Sequence, residues 1–254
     1  MSGILQAEWT KFRSVRSTLV LAVAVIVMSG AFGWLFGNAG AMAYLDATPQ
    51  EQLDFVPLHI GSRGILLVQL LIAAMGALAA TTEYNFGTMR ASVAAVGRRE
   101  RLPVAKALLV VLVALPVGLL AAPTMFLTSQ MALMAGGAPR TWFGDPAVTR
   151  FLILAPVVLA LLALFGLTLG FLLRSTAAAV NVSTVFLLLP VMSDVAPALV
   201  SDFITTYWPN VAGFQAAAVT ESSWLGLWGG LGLLLAFVAA MATAAFVRFR
   251  TRDV

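Results

Sequence analysis

The side chains best suited to chemistry lie together in one hydrophilic segment, directly after the second long apolar run. Glu83 and Arg90 supply one charge of each sign. The apolar members of the segment recur at helical spacing: Phe86, Met89 and Val93. This spacing predicts a short helix with a narrow apolar face beside a cation. Such a helix suits a groove on another protein, and it suits equally well a position at the lipid interface.

The start of this short helix is expected at Thr82. A threonine at the N-cap accepts a hydrogen bond from a backbone N–H of the first turn. Glu83 follows directly, and a carboxylate near the start of a helix is stabilised by the helix dipole. The pattern therefore predicts a new helix that begins between Thr82 and Glu83.

The rest of the chain offers few reactive groups. It has no cysteine and a single histidine, His59, so neither a thiolate site nor a histidine-based metal site is expected. No glycine is followed by lysine, and this excludes a nucleotide-binding P-loop. We therefore expect no catalytic residue, no metal and no cofactor on this chain, which is not expected to be an enzyme.

A few uncharged polar residues interrupt the apolar runs. The candidates to line a substrate pathway are Gln69, Asn181, Ser183 and Thr184. Hydrogen bonding between helices is the competing role of such side chains in a membrane. Charged residues are essentially absent from the runs, which disfavours ion-coupled transporters and intramembrane enzymes, because both normally need an intramembrane carboxylate.

Six apolar runs carry these residues. Hydrophobic residues make up 61% of the chain and charged residues 10%, against about 25% charged in soluble domains. A helix needs about 20 residues to cross a bilayer, and a spanning segment must satisfy its own backbone hydrogen bonds. The predicted spans are 18–37, 64–81, 107–135, 151–173, 177–199 and 225–247. The predicted fold is an all-α polytopic membrane protein with one transmembrane domain over residues 1–254.

The basic residues indicate the orientation of the chain. Twelve of the 15 Lys and Arg residues lie in the leader, the second-to-third and fourth-to-fifth connections, and the tail. The other three are Arg63, Arg140 and Arg150. Short loops rich in Lys and Arg stay cytoplasmic, so both termini are expected in the cytoplasm and Asp54 and Asp145 outside. The basic composition then reflects topology and anionic lipid rather than nucleic acid.

Three segments outside the spans have recognisable patterns. In the leader, residues 1–17, Leu5, Trp9 and Phe12 share one helical face, which predicts a helix in the plane of the interface. The first apolar run is too long for the core of a signal peptide, so it is expected to be retained as a helix. Thr48-Pro49-Gln50-Glu51 predicts a short external helix that ends near Phe55. Residues 191–224 are apolar but broken by prolines, which predicts a re-entrant or interfacial segment before the last span.

The hydrophilic segment also resembles a known family. Its Glu83, Gly87-Thr88 and Arg90, followed by Arg98 or Arg99 and then Lys106, are similar to the "E-x-x-x-G-T-x-R … R … K" signature of ABC-2 type transporter permeases. In that family the signature follows the second helix, and Lys106 closes the connection to the third. The leader from Glu8 to Arg13 resembles that of bacterial members.

This resemblance implies the membrane-spanning permease subunit of an ABC exporter in the bacterial inner membrane. The segment after the second span would be a coupling helix that rests in a cleft of a separate ATPase subunit. The residues implied in this contact are Glu83, Phe86, Gly87, Thr88, Met89 and Arg90. ATP and Mg would bind to that ATPase. A second permease subunit, identical or different, would complete the membrane part.

The substrate implied is hydrophobic or amphipathic: a drug, an antibiotic peptide or a lipid. It would leave the cell by alternating access. A membrane assembly or immunity protein that acts by binding, without transport, is the alternative. A lone ATPase encoded beside this chain would distinguish the two.

Overall fold

The apolar runs form long helices, as backbone groups in hydrocarbon require. The computed structural model describes residues 2–14, 16–96, 100–195, 197–219 and 226–251. Arg98 and Arg99 lie outside these ranges. Within them the chain is helical and contains no strand.

The helices follow one another along the chain. They are α1 (Ser2–Ser14), α2 (Arg16–Asp46), α3 (Pro49–Leu53), α4 (Pro57–Ser62), α5 (Ile65–Asn85), α6 (Met89–Val96), α7 (Arg101–Ala135), α8 (Pro146–Leu173), α9 (Thr176–Leu188), α10 (Ala198–Tyr207), α11 (Pro209–Ala216) and α12 (Gly226–Thr251). A 3-10 segment, Leu189–Val195, follows α9.

Six segments of the described chain are long and apolar enough to cross a membrane. They are Ser17–Asp46, Pro57–Asn85, Arg101–Ala135, Pro146–Leu173, Thr176–Ser193 and Gly226–Thr251. This confirms the predicted all-α architecture with six candidate spans. It also gives the chain the character of a multi-pass membrane protein.

Several bounds differ from the predicted spans. The first helix continues to Asp46, beyond the expected end at Gly37. The fifth becomes a 3-10 segment after Leu188, because Pro190 has no N–H to continue the α-helical ladder. Pro197 then precedes a separate helix, α10. Residues 177–199 are thus not one continuous helix.

Helices α5 and α8 form the centre of the bundle. Of their most apolar stretches, 61% and 72% of residues are buried, against 17% for α2, 22% for α9 and 28% for α12. The two central helices cross closely because Gly76 faces the carbonyl of Ala163 and Gly166 faces the carbonyl of Ala73. A Cβ at either glycine would clash with backbone. The outer helices α2, α9 and α12 therefore carry most of the surface open to lipid or to another chain.

Short helices connect the long ones. The predicted capping box is confirmed: Thr48 N donates to Glu51 Oε2 at 2.8 Å, and Glu51 N donates to Thr48 Oγ1 at 3.5 Å. The helix that follows, α3, ends at Leu53. The leader is helical as α1, with Phe12 buried and Trp9 exposed.

Candidate functional site

The hydrophilic segment after α5 begins with a tight turn and not with a helix start. Helix α5 continues through Thr82, whose hydroxyl donates to the Leu78 carbonyl at 2.5 Å. The predicted N-cap at Thr82 is therefore wrong. A helix gains a backbone hydrogen bond for each residue it adds, and no proline or glycine lies between Thr82 and Asn85, so α5 runs on to Asn85.

Gly87 makes the turn possible. Its φ of 67° lies in the left-handed region, which costs a residue without a Cβ little energy. Gly87 N donates to the Tyr84 carbonyl at 3.2 Å, and Thr88 N donates to the Glu83 carbonyl at 3.0 Å. This pair of bonds is a Schellman motif, which closes the C-terminus of α5. Helix α6 then starts at Met89.

The turn separates the predicted contact residues into two groups. Phe86 is 76% exposed, and Gly87, Thr88 and Arg90 are also exposed. Met89, in contrast, is 2% exposed and packs into the main hydrophobic core. Glu83 is buried as well. The surface available to a partner is therefore the turn of residues 86–88 (the exposed turn) together with Arg90, while Met89 and Glu83 anchor it from inside.

Four charged side chains meet behind this turn and form one ion cluster (Glu8, Lys11, Glu83 and Lys106). The Lys106 ammonium lies 2.7 Å from Glu8 Oε2 and 3.0 Å from Glu83 Oε1. The Lys11 ammonium lies 2.9 Å from Glu8 Oε1 and 2.9 Å from Glu83 Oε1. Each carboxylate therefore pairs with both lysines, and the four formal charges cancel.

Burial makes this pairing necessary. Glu8, Glu83 and Lys106 are at most 7% exposed, and a buried charge is tolerated only when it is paired and hydrogen-bonded. The Lys106 ammonium also donates to the Ala79 carbonyl at 3.2 Å. Partial burial alone would lower the pKa of Lys11, but its hydrogen bonds to Glu83 and Glu8 raise that pKa above the ordinary value.

The ion cluster connects four helices at one end of the bundle. Glu8 and Lys11 belong to α1, Glu83 to α5 and Lys106 to α7. Lys11 also donates to Ser92 Oγ of α6 at 3.0 Å. A force on the exposed turn or on α6 would therefore reach both the leader helix and the start of α7. We call this end of the molecule, formed by α1, α6, the end of α5 and the start of α7, the basic end.

Two members of the ion cluster overturn sequence-based expectations. Lys106, expected in the hydrophilic connection, lies inside α7 because that helix already begins at Arg101. Glu83 likewise lies within α5. Both charges thus lie in candidate spans that extend beyond the predicted bounds 64–81 and 107–135. The leader residues Glu8 and Lys11 were not predicted as site residues, although their spacing of three residues in a predicted helix was a detectable signal.

The predicted pathway residues differ in their exposure. Gln69 and Ser183 are buried, and Thr184 is half-buried. Ser183 Oγ donates to the Val180 carbonyl in its own helix at 2.8 Å. Asn181 is exposed on the outer helix α9. Of the four side chains, only Asn181 is therefore exposed.

Gln69 belongs to an amide cluster at the other end of the bundle. Asn210 Nδ2 donates to Gln69 Oε1 at 3.1 Å and to the Leu187 carbonyl at 3.2 Å. Gln69 Nε2 donates to the Leu66 carbonyl at 2.9 Å. This amide cluster (Gln69 and Asn210) joins α5, α9 and α11, and the role of Gln69 in this structure is helix packing. Asn210 was not predicted, although a lone amide after Trp208-Pro209 in an apolar segment was a usable signal.

Among the described residues, no group of three or more His, Asp and Glu side chains is placed to hold a metal ion. Comparison with known proteins gives no family: no family model matches the chain, and no curated protein matches it.

Proposed function

We propose that this chain is the membrane-spanning permease subunit of an ATP-binding cassette exporter. ATP hydrolysis, with its Mg, takes place on a separate ATPase subunit, since this chain has no P-loop. The exposed turn and Arg90 dock against that ATPase. Two such membrane subunits pair and move a hydrophobic or amphipathic substrate outward by alternating access.

One observation carries the proposal. The exposed turn presents Phe86, which is 76% exposed, on a rigid base formed by the Schellman motif, buried Met89 and the ion cluster. An aromatic side chain held out from a rigid turn is a suitable anchor for a pocket on a partner, because few anchors dominate such contacts. The ion cluster behind the turn supplies a direct connection to α1 and α7.

The orientation follows from the same proposal. The basic end faces the cytoplasm of a bacterial cell, where an ATPase and ATP are present, and both termini lie on that side of the inner membrane. The amide cluster then lies at the external side. Helix α1 lies in the cytoplasmic interface with exposed Trp9 toward lipid, and residues 189–219 form the external segment before α12.

The second subunit and the pathway are proposed on the outer helices. Because α2, α9 and α12 are the least buried spans, a partner permease packs on part of that surface. Asn181, exposed on α9, is the candidate pathway residue. Asn181→Leu is expected to change the stimulation of ATPase activity by substrate and to leave basal activity intact. Unchanged stimulation by every active substrate would assign Asn181 a packing role.

A pull-down tests the docking of the ATPase. The double variant Phe86→Ala with Arg90→Ala should weaken recovery of the ATPase by at least about tenfold, because truncating an interface anchor typically costs more than about 1 kcal/mol and two anchors are removed. The matched control is Val104→Ala with Arg101→Ala, which removes similar groups from the exposed first turns of α7 at the same end.

The alternatives predict other results. If the exposed turn only lies in the lipid interface, both double variants recover the ATPase equally well. If the chain is a non-transport assembly or immunity protein, no P-loop ATPase is recovered with the wild type at all. The amount of folded variant in the membrane is measured in parallel, so that loss of protein is not mistaken for loss of docking.

A further inference from the structure

A cavity lies beside the ion cluster at the basic end. Its volume is about 220 Å³. Phe12, Leu78 and Leu109 form its apolar walls, and Glu8, Lys11, Glu83 and Lys106 form a polar wall. Phe86 and Thr88 also line it. Because these two residues are exposed, the cavity reaches the surface beside the exposed turn.

One carboxylate oxygen of the polar wall has no donor. Glu83 Oε1 accepts from both lysines, whereas Glu83 Oε2 is buried and accepts no hydrogen bond from any described residue. Both oxygens of Glu8, in contrast, accept from a lysine. A buried charged acceptor that lacks a donor is costly. A ligand that brings an N–H group into this cavity would supply the donor that Glu83 lacks.

The charge of the polar wall restricts the ligand further. The ion cluster carries two positive and two negative charges, so it offers neither a net anionic nor a net cationic site. A zwitterionic headgroup fits such a wall, with its ammonium at Glu83 and its phosphate toward the positive charge of Lys11, which is 46% exposed at the side chain. A headgroup without an N–H donor would leave Glu83 Oε2 unsatisfied.

The size and walls of the cavity agree with part of a lipid. Pockets that enclose drug-sized ligands measure about 300–1,000 Å³, and this one is smaller. It has room for a headgroup and the first carbons of an acyl chain along Leu78 and Leu109. The remaining chain would lie in the bilayer beside exposed Leu108.

We propose that this cavity binds a phospholipid whose headgroup carries a primary ammonium, with Glu83 as the acceptor for that ammonium. The lipid would sit between the leader helix and the exposed turn and stabilise their connection. This inference does not depend on the proposed export function, because it requires only the cavity and the ion cluster.

The experiment compares three phospholipids with identical acyl chains in detergent-solubilised full-length protein, with native mass spectrometry to count retained lipid. Phosphatidylethanolamine is zwitterionic and has N–H donors. Phosphatidylcholine is zwitterionic without them, and phosphatidylglycerol has hydroxyl donors but a net negative charge. We expect phosphatidylethanolamine to be retained about tenfold better than either, the equivalent of one charge-assisted hydrogen bond.

Matched variants assign that preference to Glu83. Glu83→Gln should abolish it, because the amide can still accept from the lysines but no longer offers a second acceptor. Glu8→Gln removes the same charge from a carboxylate whose oxygens are both occupied. It should retain the preference for phosphatidylethanolamine over phosphatidylcholine, because that preference depends on the N–H donor and not on the net charge of the ion cluster.

A second pair of variants leaves every charge in place, which keeps the test decisive if Glu83→Gln folds poorly. Ala79→Leu fills the cavity and should prevent retention, whereas Ala240→Leu on the exposed face of α12 should not. Equal retention of the three lipids by wild type would overturn the proposal. So would a preference that persists in folded Glu83→Gln, or retention that persists in Ala79→Leu.

Discussion

Different interactions hold the helices together at the two ends of the bundle. At the basic end, the ion cluster joins α1, α5, α6 and α7 through four charges. At the opposite end, the amide cluster joins α5, α9 and α11 through neutral side chains and backbone carbonyls. Both are buried, but only the ion cluster contains ionisable groups.

This difference matters because the loss of one partner destabilises a buried ion pair more than it destabilises a buried pair of amides. Removing one partner from a buried ion pair leaves a charge without compensation and costs about 3–5 kcal/mol. Removing a hydrogen bond between membrane helices costs on average about 0.6 and at most about 1.7 kcal/mol. We therefore expect the helices of the basic end to move together as one rigid unit. At the opposite end, α5, α9 and α11 can separate at a smaller cost in free energy.

The largest effect is expected for Lys106→Met. It leaves Glu8 and Glu83 to share Lys11 alone and should lower the free energy of unfolding by about 3–5 kcal/mol. Equilibrium unfolding in mixed micelles measures this change. Arg101→Met on the exposed first turn of the same helix is the control, with an expected change within about 0.5 kcal/mol.

A second substitution checks the physical reason. Lys106→Met leaves the ion cluster with one excess negative charge. Adding Glu8→Gln removes that excess, so part of the lost stability should return. A double variant that is less stable than Lys106→Met alone would mean that the ion cluster acts through packing and not through charge compensation.

A smaller effect is expected at the other end for Gln69→Leu. The substitution deprives Asn210 Nδ2 of one acceptor, while the Leu187 carbonyl remains as the other. The expected loss is about 0.6–1.7 kcal/mol, measured in the same micelle assay. A loss equal to that of Lys106→Met would remove the distinction between the two ends.

The smallest effect is a pH dependence confined to the basic end. Interaction with Glu83 and Glu8 raises the pKa of Lys11 above its ordinary value of 10.5. The stabilisation is therefore complete below that ordinary value and is lost as the pH rises through the higher pKa of the folded protein. The connection between α1 and α6 should hold through neutral pH and loosen only above about pH 10.5.

Spin-label distances measure this loosening. The chain has no cysteine, so in the double variant Ala7→Cys with Ala91→Cys the spin labels attach only to the two introduced thiols. The distribution of distances between these two labels should broaden above the ordinary pKa of lysine. The distance distribution of a second pair, at Gln50→Cys and Ala198→Cys, should not change. Broadening between pH 6 and 9 would show that groups other than Lys11 control the connection.

The sequence predicts the architecture of this protein well, because hydrophobic length and proline placement act locally. The apolar runs give six candidate spans, and the Thr48 capping box depends on neighbouring residues only. The end of α9 at Leu188, in contrast, falls inside the expected span 177–199. The bounds are less predictable. Helix α7 begins at Arg101, so Lys106 lies inside the helix, and its burial is possible because distant partners neutralise its charge.

The candidate site is harder to predict for the same reason. Nothing near Glu83 in the sequence indicates that it meets Glu8 and Lys11, which are more than 70 residues away. Met89 and Phe86 look equivalent as apolar residues three apart, yet the left-handed turn at Gly87 directs one inward and the other outward. Gly87 was a signal in the sequence that α5 ends there. The N-cap pattern at Thr82 instead indicated that a new helix starts five residues earlier, and the two predictions conflict.

Photocrosslinking at the exposed turn tests the central claim most directly. A photoreactive phenylalanine analogue replaces Phe86 in living cells, and in a second strain it replaces Trp142, which is 63% exposed at the opposite end. We expect a protein adduct at position 86 whose second polypeptide contains a P-loop, and no such adduct at position 142. Adducts at position 86 to lipid alone, in cells that produce the candidate ATPase, would contradict it.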